Sequence, residues 1–247
     1  MNRLGIIGGT GLAKLDGMSI ERSEHAATPW GEPSAPLLHG RFAGKQAVFL
    51  ARHGSGHTIA PHAVNYRANI WALREAGVER IIAVNAVGGI GDAFAPGTLA
   101  VPDQIIDYSW GRVHSFYDEP GEALRHVDFT EPYSRALREL LLAAAARVQL
   151  PVRDGGVYAV TQGPRLETAA EIERLARDGC DIVGMTGMPE AGLARELGLE
   201  YACCAVVVNR AAGRGGDIHG ELERWVEEGM AAARRLLHAL LEEGVAS

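Results

Sequence analysis

The sequence has few cysteines and no long apolar run. Cysteine occurs only as Cys180, Cys203 and Cys204, and no two of these have C-x-x-C spacing. We therefore expect buried thiols in a reducing, cytoplasmic compartment and not a disulfide framework. No run of about 18 apolar residues, enough to span a bilayer, is present. The chain enters a strand-like stretch at residues 4–7 without an export signal.

Runs of lysine or arginine are also missing, and the formal net charge is −7. A nucleic acid or an anionic membrane is therefore disfavoured as a partner. Apolar residues make up 47% of the chain, and 31 glycines are spread along it. This composition suits one sizeable globular α/β domain over residues 1–247, or at most two small ones.

Short apolar runs bounded by glycine or polar residues predict buried strands. They lie at residues 4–7, 47–51, 80–84, 157–160 and 201–208. Helical patterns lie between and after them, at residues 65–76, 134–148, 168–178, 190–197 and 221–243. This alternation predicts an α/β fold with a single doubly wound mixed sheet and helices on both faces. The irregular segment 108–131 is either a functional loop or a surface excursion.

Doubly wound sheets bind ligands at the carboxyl ends of their strands. The first predicted strand is followed by Gly8-Gly9-Thr10-Gly11, whose backbone N–H groups and Thr10 hydroxyl suit an anion, unless it is a plain turn. A dinucleotide fingerprint would need a third glycine where Lys14 stands, and a G-K-[ST] motif is missing. The loop is therefore a candidate phosphate site.

A second candidate anion site, Arg52-His53-Gly54, follows the second predicted strand. The planar Arg52 guanidinium can bind two phosphate oxygens, and His53 adds a titratable donor. A solvated surface pair is the alternative. His53, His57 and His62 do not predict a metal site, because glycine and proline interrupt the stretch and no acidic or cysteine ligand accompanies them.

Three later segments add polar groups to this edge. Residues 85–89, Asn-Ala-Val-Gly-Gly, predict a loop that wraps a ligand or a tight turn. Thr186 precedes a predicted helix, whose positive N-terminus favours an anion. Asn209 follows the last predicted strand, and its amide either pairs with a base edge or satisfies buried backbone groups.

Together these segments resemble the trimeric purine nucleoside phosphorylase and methylthioadenosine phosphorylase family. The resemblance runs through GIIGGTGL at 5–12, ARHG at 51–54, VNYRANIWAL at 64–73, QGPRLET at 162–168 and MTGMPE at 185–190. It implies a homotrimeric pentosyltransferase of purine salvage that cleaves a nucleoside with inorganic phosphate, without a cofactor or metal. Such cleavage needs an anionic nucleophile held below the sugar and a stabilised leaving purine.

The resemblance also assigns roles to individual residues. Phosphate would be bound by Thr10, Arg52, His53, Ala86 and Thr186. The nucleoside would contact Leu166, Glu167, Met185, Asn209, Arg210, Ala211, His126 and Leu222, with Met185 on the ribose and His126 closing the 5′ pocket, often from a neighbouring subunit. The catalytic residues would be Asn209, Glu167 and His53.

Two positions favour a 6-oxopurine base. Methylthioadenosine phosphorylases usually carry Asp-x-Asp where this chain has Asn209-Arg210-Ala211, and the 6-oxopurine enzymes use Asn first, to accept from N7–H and donate to O6. Glu167 aligns with the Glu that accepts the N1 proton, which adenine lacks, unless it is an ordinary polar residue before a helix cap. A mismatched ligand loses about 1–3 kcal/mol for each unpaired group.

The 5′ pocket is expected to be apolar, because Leu222 is favoured over His219 at the position that meets the 5′ group. A site that selects a 6-oxopurine base and has an apolar 5′ pocket predicts 5′-methylthioinosine as the substrate. The products would be hypoxanthine and 5-methylthioribose 1-phosphate. The alternatives are a methylthioadenosine phosphorylase of broadened base tolerance, an inosine/guanosine phosphorylase and, in another class, a nucleoside-binding module without turnover.

Overall fold

A computed structural model of the protein describes residues 3–118, 125–215 and 222–242. These residues form one mixed sheet with helices on both faces, which confirms the predicted fold class. The strands are β1 (Arg3–Gly8), β2 (Ser19–Glu24), β3 (Leu37–Phe42), β4 (Lys45–Ala51), β5 (Val78–Gly89), β6 (Leu99–Val101), β7 (Gln104–Asp107), β8 (Val152–Asp154), β9 (Val157–Val160), β10 (Ile182–Gly184) and β11 (Glu200–Arg210). The helices are α1 (Tyr66–Glu75), α2 (Arg135–Arg147), α3 (Ala169–Arg177), α4 (Gly187–Glu196) and α5 (Leu222–Glu242).

The helix boundaries follow local capping signals in the sequence. Asn65, Ser134 and Thr168 cap α1, α2 and α3, each accepting a hydrogen bond from a backbone N–H three residues on. Thr168 and Glu171 form a complete capping box. All five predicted helices and all five predicted strands are found near their predicted positions.

β5 is the central strand and changes partner along its length. β11 pairs with it in parallel from Arg80 to Gly89. On its other side β1 pairs up to Val84, and β10 pairs antiparallel with Gly88 and Gly89. Among the described strands, residues 85–87 have no partner on that side, so the sheet opens there into a crevice.

Two predicted loop segments are therefore strand. Residues 85–89, predicted as a loop or turn, belong to β5, and Asn209 and Arg210 belong to the end of β11. Pairing with β11 extends β5 through small residues whose own pattern suggests a turn, since tertiary pairing overrides local preference. β2 was not predicted because five of its six residues are exposed, which leaves no apolar run.

Two helix pairs cover the two faces of the sheet. The core beneath α2 and α5 contains Leu137, Leu141, Leu236 and Leu240. The opposite core contains α1 and α4 side chains together with the other face of β1 and β5. No helix in the described part of the chain is long and apolar enough to cross a membrane.

Candidate active site

A cavity of about 500 Å³ lies at the crevice beside residues 85–87 of β5. Most of the predicted site residues line it. They are Thr10, Arg52, His53, Ala86, Leu166, Glu167, Met185, Thr186, Asn209, Ala211 and Leu222. We call the part formed by Arg52, His53 and Thr186 the buried end, and the part formed by Leu166, Glu167, Asn209 and Leu222 the open end.

Arg52 is fully buried, and a carboxylate occupies its fork. Its Nε and Nη2 donate to Glu190 Oε2 and Oε1 at 2.7 and 2.8 Å, and Nη1 donates to the Val84 carbonyl at 3.3 Å. Burial alone would lower the pKa of Arg52, but the Glu190 carboxylate raises it, so Arg52 stays charged. The expected two-oxygen contact through the fork therefore does not match the structure.

Nη1 is the part of Arg52 that faces the first glycine loop. A Cβ on Gly9 would lie 2.8 Å from Nη1, so glycine allows this close approach. An anion held by the loop would therefore contact only Nη1 of Arg52, whose charge is balanced by Glu190.

His53 is oriented by a backbone carbonyl. Its Nδ1 lies 2.8 Å from the Ile59 carbonyl oxygen, which can only accept, so Nδ1 carries the hydrogen. Burial, followed by the nearby Arg52 charge, lowers the pKa of His53 to about 4. Near neutral pH the ring is uncharged and Nε2 is an acceptor, in contrast to the donor expected from the sequence.

Thr186 directly precedes α4, and its side chain is held by β5. Within α4, Met188 has extended backbone angles (φ −119°, ψ 142°), so the regular helix begins after it and matches the prediction for 190–197. The helix N-terminus predicted beside Thr186 is thus present, but its first turn is irregular and the Thr186 side chain does not cap it. Its Oγ1 accepts from Asn85 Nδ2 at 2.8 Å.

At the open end, Glu167 is half-buried and held on one side. Thr161 Oγ1 donates to its Oε1 at 2.6 Å, while Oε2 makes no hydrogen bond to any described residue. One carboxylate oxygen is thus fixed and the other is free to accept. Leu166 beside it is 45% exposed.

Asn209 also keeps part of its hydrogen-bonding capacity. Its Nδ2 donates to the Arg210 carbonyl at 2.7 Å, and its Oδ1 bonds to no residue in the described ranges. Ala211 is buried beside it. Arg210 does not line the cavity as predicted, because its guanidinium donates to the Gly91 and Asp92 carbonyls.

Two of the three 5′ candidates, Leu222 and His126, lie among the described residues. Leu222, the first residue of α5, lines the cavity. His126 is exposed and does not line the cavity of this chain. His219 lies outside the described residues. In the described part of the chain, no group of three or more His, Cys, Asp or Glu residues could hold a metal.

Sequence reasoning missed the residues that hold the buried end in place. Glu190 is 0% exposed and also accepts from the Tyr201 hydroxyl at 2.8 Å. Asn85 was assigned only to a loop, yet it joins Thr186 to Cys203. The signal available for Glu190 was a carboxylate in the first turn of a helix whose other charged residues, Arg195 and Glu196, lie in its last turn.

A family model described as Phosphorylase superfamily matches residues 3–242. The chain belongs to this superfamily. A relative from Pseudomonas syringae pv. tomato named probable S-methyl-5′-thioinosine phosphorylase is 55% identical over 238 residues, which are 96% of this chain and 97% of the relative. The 6-oxopurine nucleoside phosphorylase of Pyrococcus furiosus is 48% identical over 221 residues, or 87% of this chain and 82% of that one.

Solved structures of this superfamily include a close match to the fold. The methylthioadenosine phosphorylase of Schistosoma mansoni in complex with adenine superposes with a TM-score of 0.91 at 32% identity, covering 100% of this chain and 93% of that chain. The resemblance stated from the sequence is thereby confirmed. For a phosphorylase, one end of the cavity must take an anion and the other a nucleoside.

Proposed function

We propose that this phosphorylase cleaves S-methyl-5′-thioinosine with inorganic phosphate. A phosphate oxygen forms a bond to the sugar C1′, the C1′–N9 bond breaks, and its electron pair leaves with the purine. Proton uptake by the purine gives hypoxanthine, and the sugar leaves as 5-methylthioribose 1-phosphate. The reaction needs no cofactor, since phosphate is a co-substrate.

Phosphate is assigned to the buried end. Thr10, Thr186 and the Nη1 of Arg52 offer donors there, Ala86 offers backbone from β5, and His53 offers an acceptor for a phosphate hydroxyl. Because Glu190 neutralises Arg52, attraction at this end depends on directed donors more than on net charge.

The observation that carries the base assignment is the free acceptor pair at the open end. Glu167 Oε2 suits a protonated N1, and Asn209 Oδ1 suits a protonated N7, which are the hydrogens of a leaving 6-oxopurine. Adenine has no N1 hydrogen and would face the carboxylate unpaired, which costs free energy. Ala211 offers no group to a 6-amino substituent.

The methylthio group is assigned to the apolar wall at Leu222. A hydroxyl placed there would lose its water partners without replacement. This assignment favours methylthioinosine over inosine, as does the name of the Pseudomonas syringae relative.

The assembly is proposed to be a homotrimer in which His126 of a neighbouring subunit closes the cavity. Exposed Trp110 and Val113 in the long loop support an interface on this side, because large exposed apolar side chains are typical of one. The three cysteines are free thiols, which supports a cytoplasmic location.

The test is the catalytic efficiency on methylthioinosine, methylthioadenosine, inosine and adenosine with saturating phosphate. We expect methylthioinosine to be used best. A preference for inosine would favour the activity named for the Pyrococcus furiosus relative, and one for methylthioadenosine the activity named for the Schistosoma mansoni enzyme. Binding without phosphate-dependent purine release would instead support a non-catalytic module.

A further inference from the structure

Arg112 lies in the long irregular loop and binds the two neighbouring segments that continue β9 and β10 beside the cavity. Its Nη1 donates to the Met185 and Met188 carbonyls at 2.8 and 2.6 Å. Its Nη2 donates to the Thr161 and Gln162 carbonyls at 3.1 and 2.8 Å.

Two further contacts fix the guanidinium itself. Its Nε donates to the Gln162 side-chain oxygen at 3.2 Å, an atom that also accepts from the Trp110 backbone at 3.1 Å. The guanidinium carbon lies 5.6 Å from the centre of the Tyr66 ring. With the Tyr66 hydroxyl, which accepts from Nη1 at 3.4 Å, Arg112 uses donors from all three nitrogens on six acceptors, and it does not itself line the cavity.

The two bound segments carry different parts of the site. The carbonyl of Thr161 is held by Arg112 while its hydroxyl holds Glu167, so this segment sets the acceptor at the open end. The carbonyl of Met185 is held by the same guanidinium, and Met185 is followed directly by Thr186 of the buried end.

We propose that Arg112 is a positioning residue that fixes the nucleoside side of the cavity relative to the phosphate side. This inference rests on the proposed function. Phosphorolysis requires the attacking oxygen and C1′ to be aligned, and a displacement of about 1 Å far from the chemistry can cost about 100-fold in rate. Arg112 supplies this alignment through backbone carbonyls, without touching either substrate.

The test compares Arg112→Ala and Arg112→Lys with Arg138→Ala. Arg138 is a matched control because it is also largely buried and donates to two backbone carbonyls, those of Val101 and Pro102, but lies away from the cavity. Arg112→Ala should lower kcat/KM about 100-fold and raise KM for both phosphate and nucleoside. Arg112→Lys should recover part of this, since an ammonium has three donors where the guanidinium has five.

A further variant separates the two sides of the cavity. Thr161→Val removes the hydrogen bond to Glu167 and a longer one, at 3.4 Å, to the Gly184 carbonyl, to which the residue 161 backbone N–H still donates. We therefore expect a higher nucleoside KM with an unchanged phosphate KM. If Arg112→Ala raised only one of the two KM values, or lost no more activity than Arg138→Ala, the proposal would be overturned.

Hydrogen exchange on the ligand-free protein gives a readout that needs no turnover. Arg112→Ala should lose amide protection in segments 161–168 and 184–189 together, and Arg138→Ala in neither. Loss confined to the loop around residue 112 would contradict the proposal. A wild-type protein without phosphorolysis would refute the proposed function, while the exchange pattern would still decide whether Arg112 joins the two segments.

Discussion

At the buried end of the cavity the side chains are held by protein groups before a ligand binds, whereas at the open end hydrogen-bonding atoms stay free. Arg52 is anchored by Glu190, His53 by a carbonyl and Thr186 by Asn85. Glu167 and Asn209 each keep an oxygen with no partner among the described residues. The buried end is therefore preorganised for one small ligand. The open end selects a ligand by the hydrogens that the ligand can donate to these free oxygens.

The largest effect is expected from Arg52→Ala, which removes the guanidinium from the buried end. We expect the phosphate KM to rise about 100-fold with a much smaller change in nucleoside KM, because a charge-assisted donor is lost. Stability should also fall by about 3–5 kcal/mol, since the buried Glu190 carboxylate loses its partner. Phosphate saturation curves and Tm measure the two effects.

The double variant Arg52→Met with Glu190→Gln separates these effects. It removes both charges and keeps an acceptor for the Tyr201 hydroxyl, so Tm should recover while the phosphate KM stays high. Normal phosphate saturation in either variant would show that the anion binds elsewhere.

Substitutions at the open end should change the substrate preference. Asn209→Asp with Ala211→Asp offers an acid to N7 and an acceptor to a 6-amino group, and adding Glu167→Ser removes the carboxylate facing N1. We expect the ratio of methylthioadenosine to methylthioinosine turnover to rise about 30-fold in the triple variant, with only the direction claimed for each step.

The experiment compares the ratio of turnover on the two substrates and not the absolute rates, because the variants should be less stable. Ala211 is 3% exposed, so a buried carboxylate there should lower Tm. Asn209→Asp alone is the control that avoids this cost. A constant preference across the series would mean that the base is recognised by other groups.

A smaller change is expected at the apolar wall, from Leu222→His. The methylthio group should lose apolar burial of about 1–2 kcal/mol while a 5′ hydroxyl gains a partner, so the preference for methylthioinosine over inosine should fall roughly 5- to 30-fold. Leu222→Met, which keeps the wall apolar, is the matched control. Equal ratios of methylthioinosine to inosine use in the two variants would show that Leu222 does not contact the 5′ group.

A separate effect, on stability and not on substrate preference, is a pH dependence that comes from His53. Its pKa is about 4 in the folded protein against 6.5 as the ordinary value, so the unfolded chain binds more protons between these values. The contribution of neutral His53 is full above about pH 6.5 and is lost as the pH falls toward 4.

Thermal melts from pH 7 to 4 on wild type and His53→Asn test this prediction. The Tm difference between the two proteins should shrink with acidification. Burial also lowers the pKa of His39, but His39 is present in both proteins, so its contribution to the Tm difference cancels. A difference that stays constant with pH would mean that His53 is not held neutral.

Local signals in the sequence were enough for the framework and for the loops that meet at the cavity. Thr168 and Glu171 defined the start of α3, and the apolar runs located the inner strands. What failed depended on distant partners. Glu190 joins Arg52 across 138 residues, so no local pattern shows that the guanidinium fork is already occupied.

The failure at Arg210 has a related cause. The sequence placed it beside Asn209 in a loop that turns toward the ligand, but both lie in β11, where successive side chains point to opposite faces. Arg112 was equally absent from the predicted site, since four of its hydrogen-bond acceptors are backbone carbonyls, which carry no residue identity.

The partner change along β5 also limits how this enzyme can diversify. The crevice ends at glycines that have little space around them: a Cβ on Gly89 would lie 1.8 Å from the Phe94 carbonyl oxygen, and one on Gly88 3.3 Å from Asn209 Nδ2. A substitution at Gly89 would damage the sheet before it altered ligand choice, whereas one at Gly88 would press on Asn209 itself. A descendant lineage that adopts another nucleoside should therefore accumulate its changes on the side where Leu166, Glu167 and Leu222 stand, and keep Gly89 unaltered.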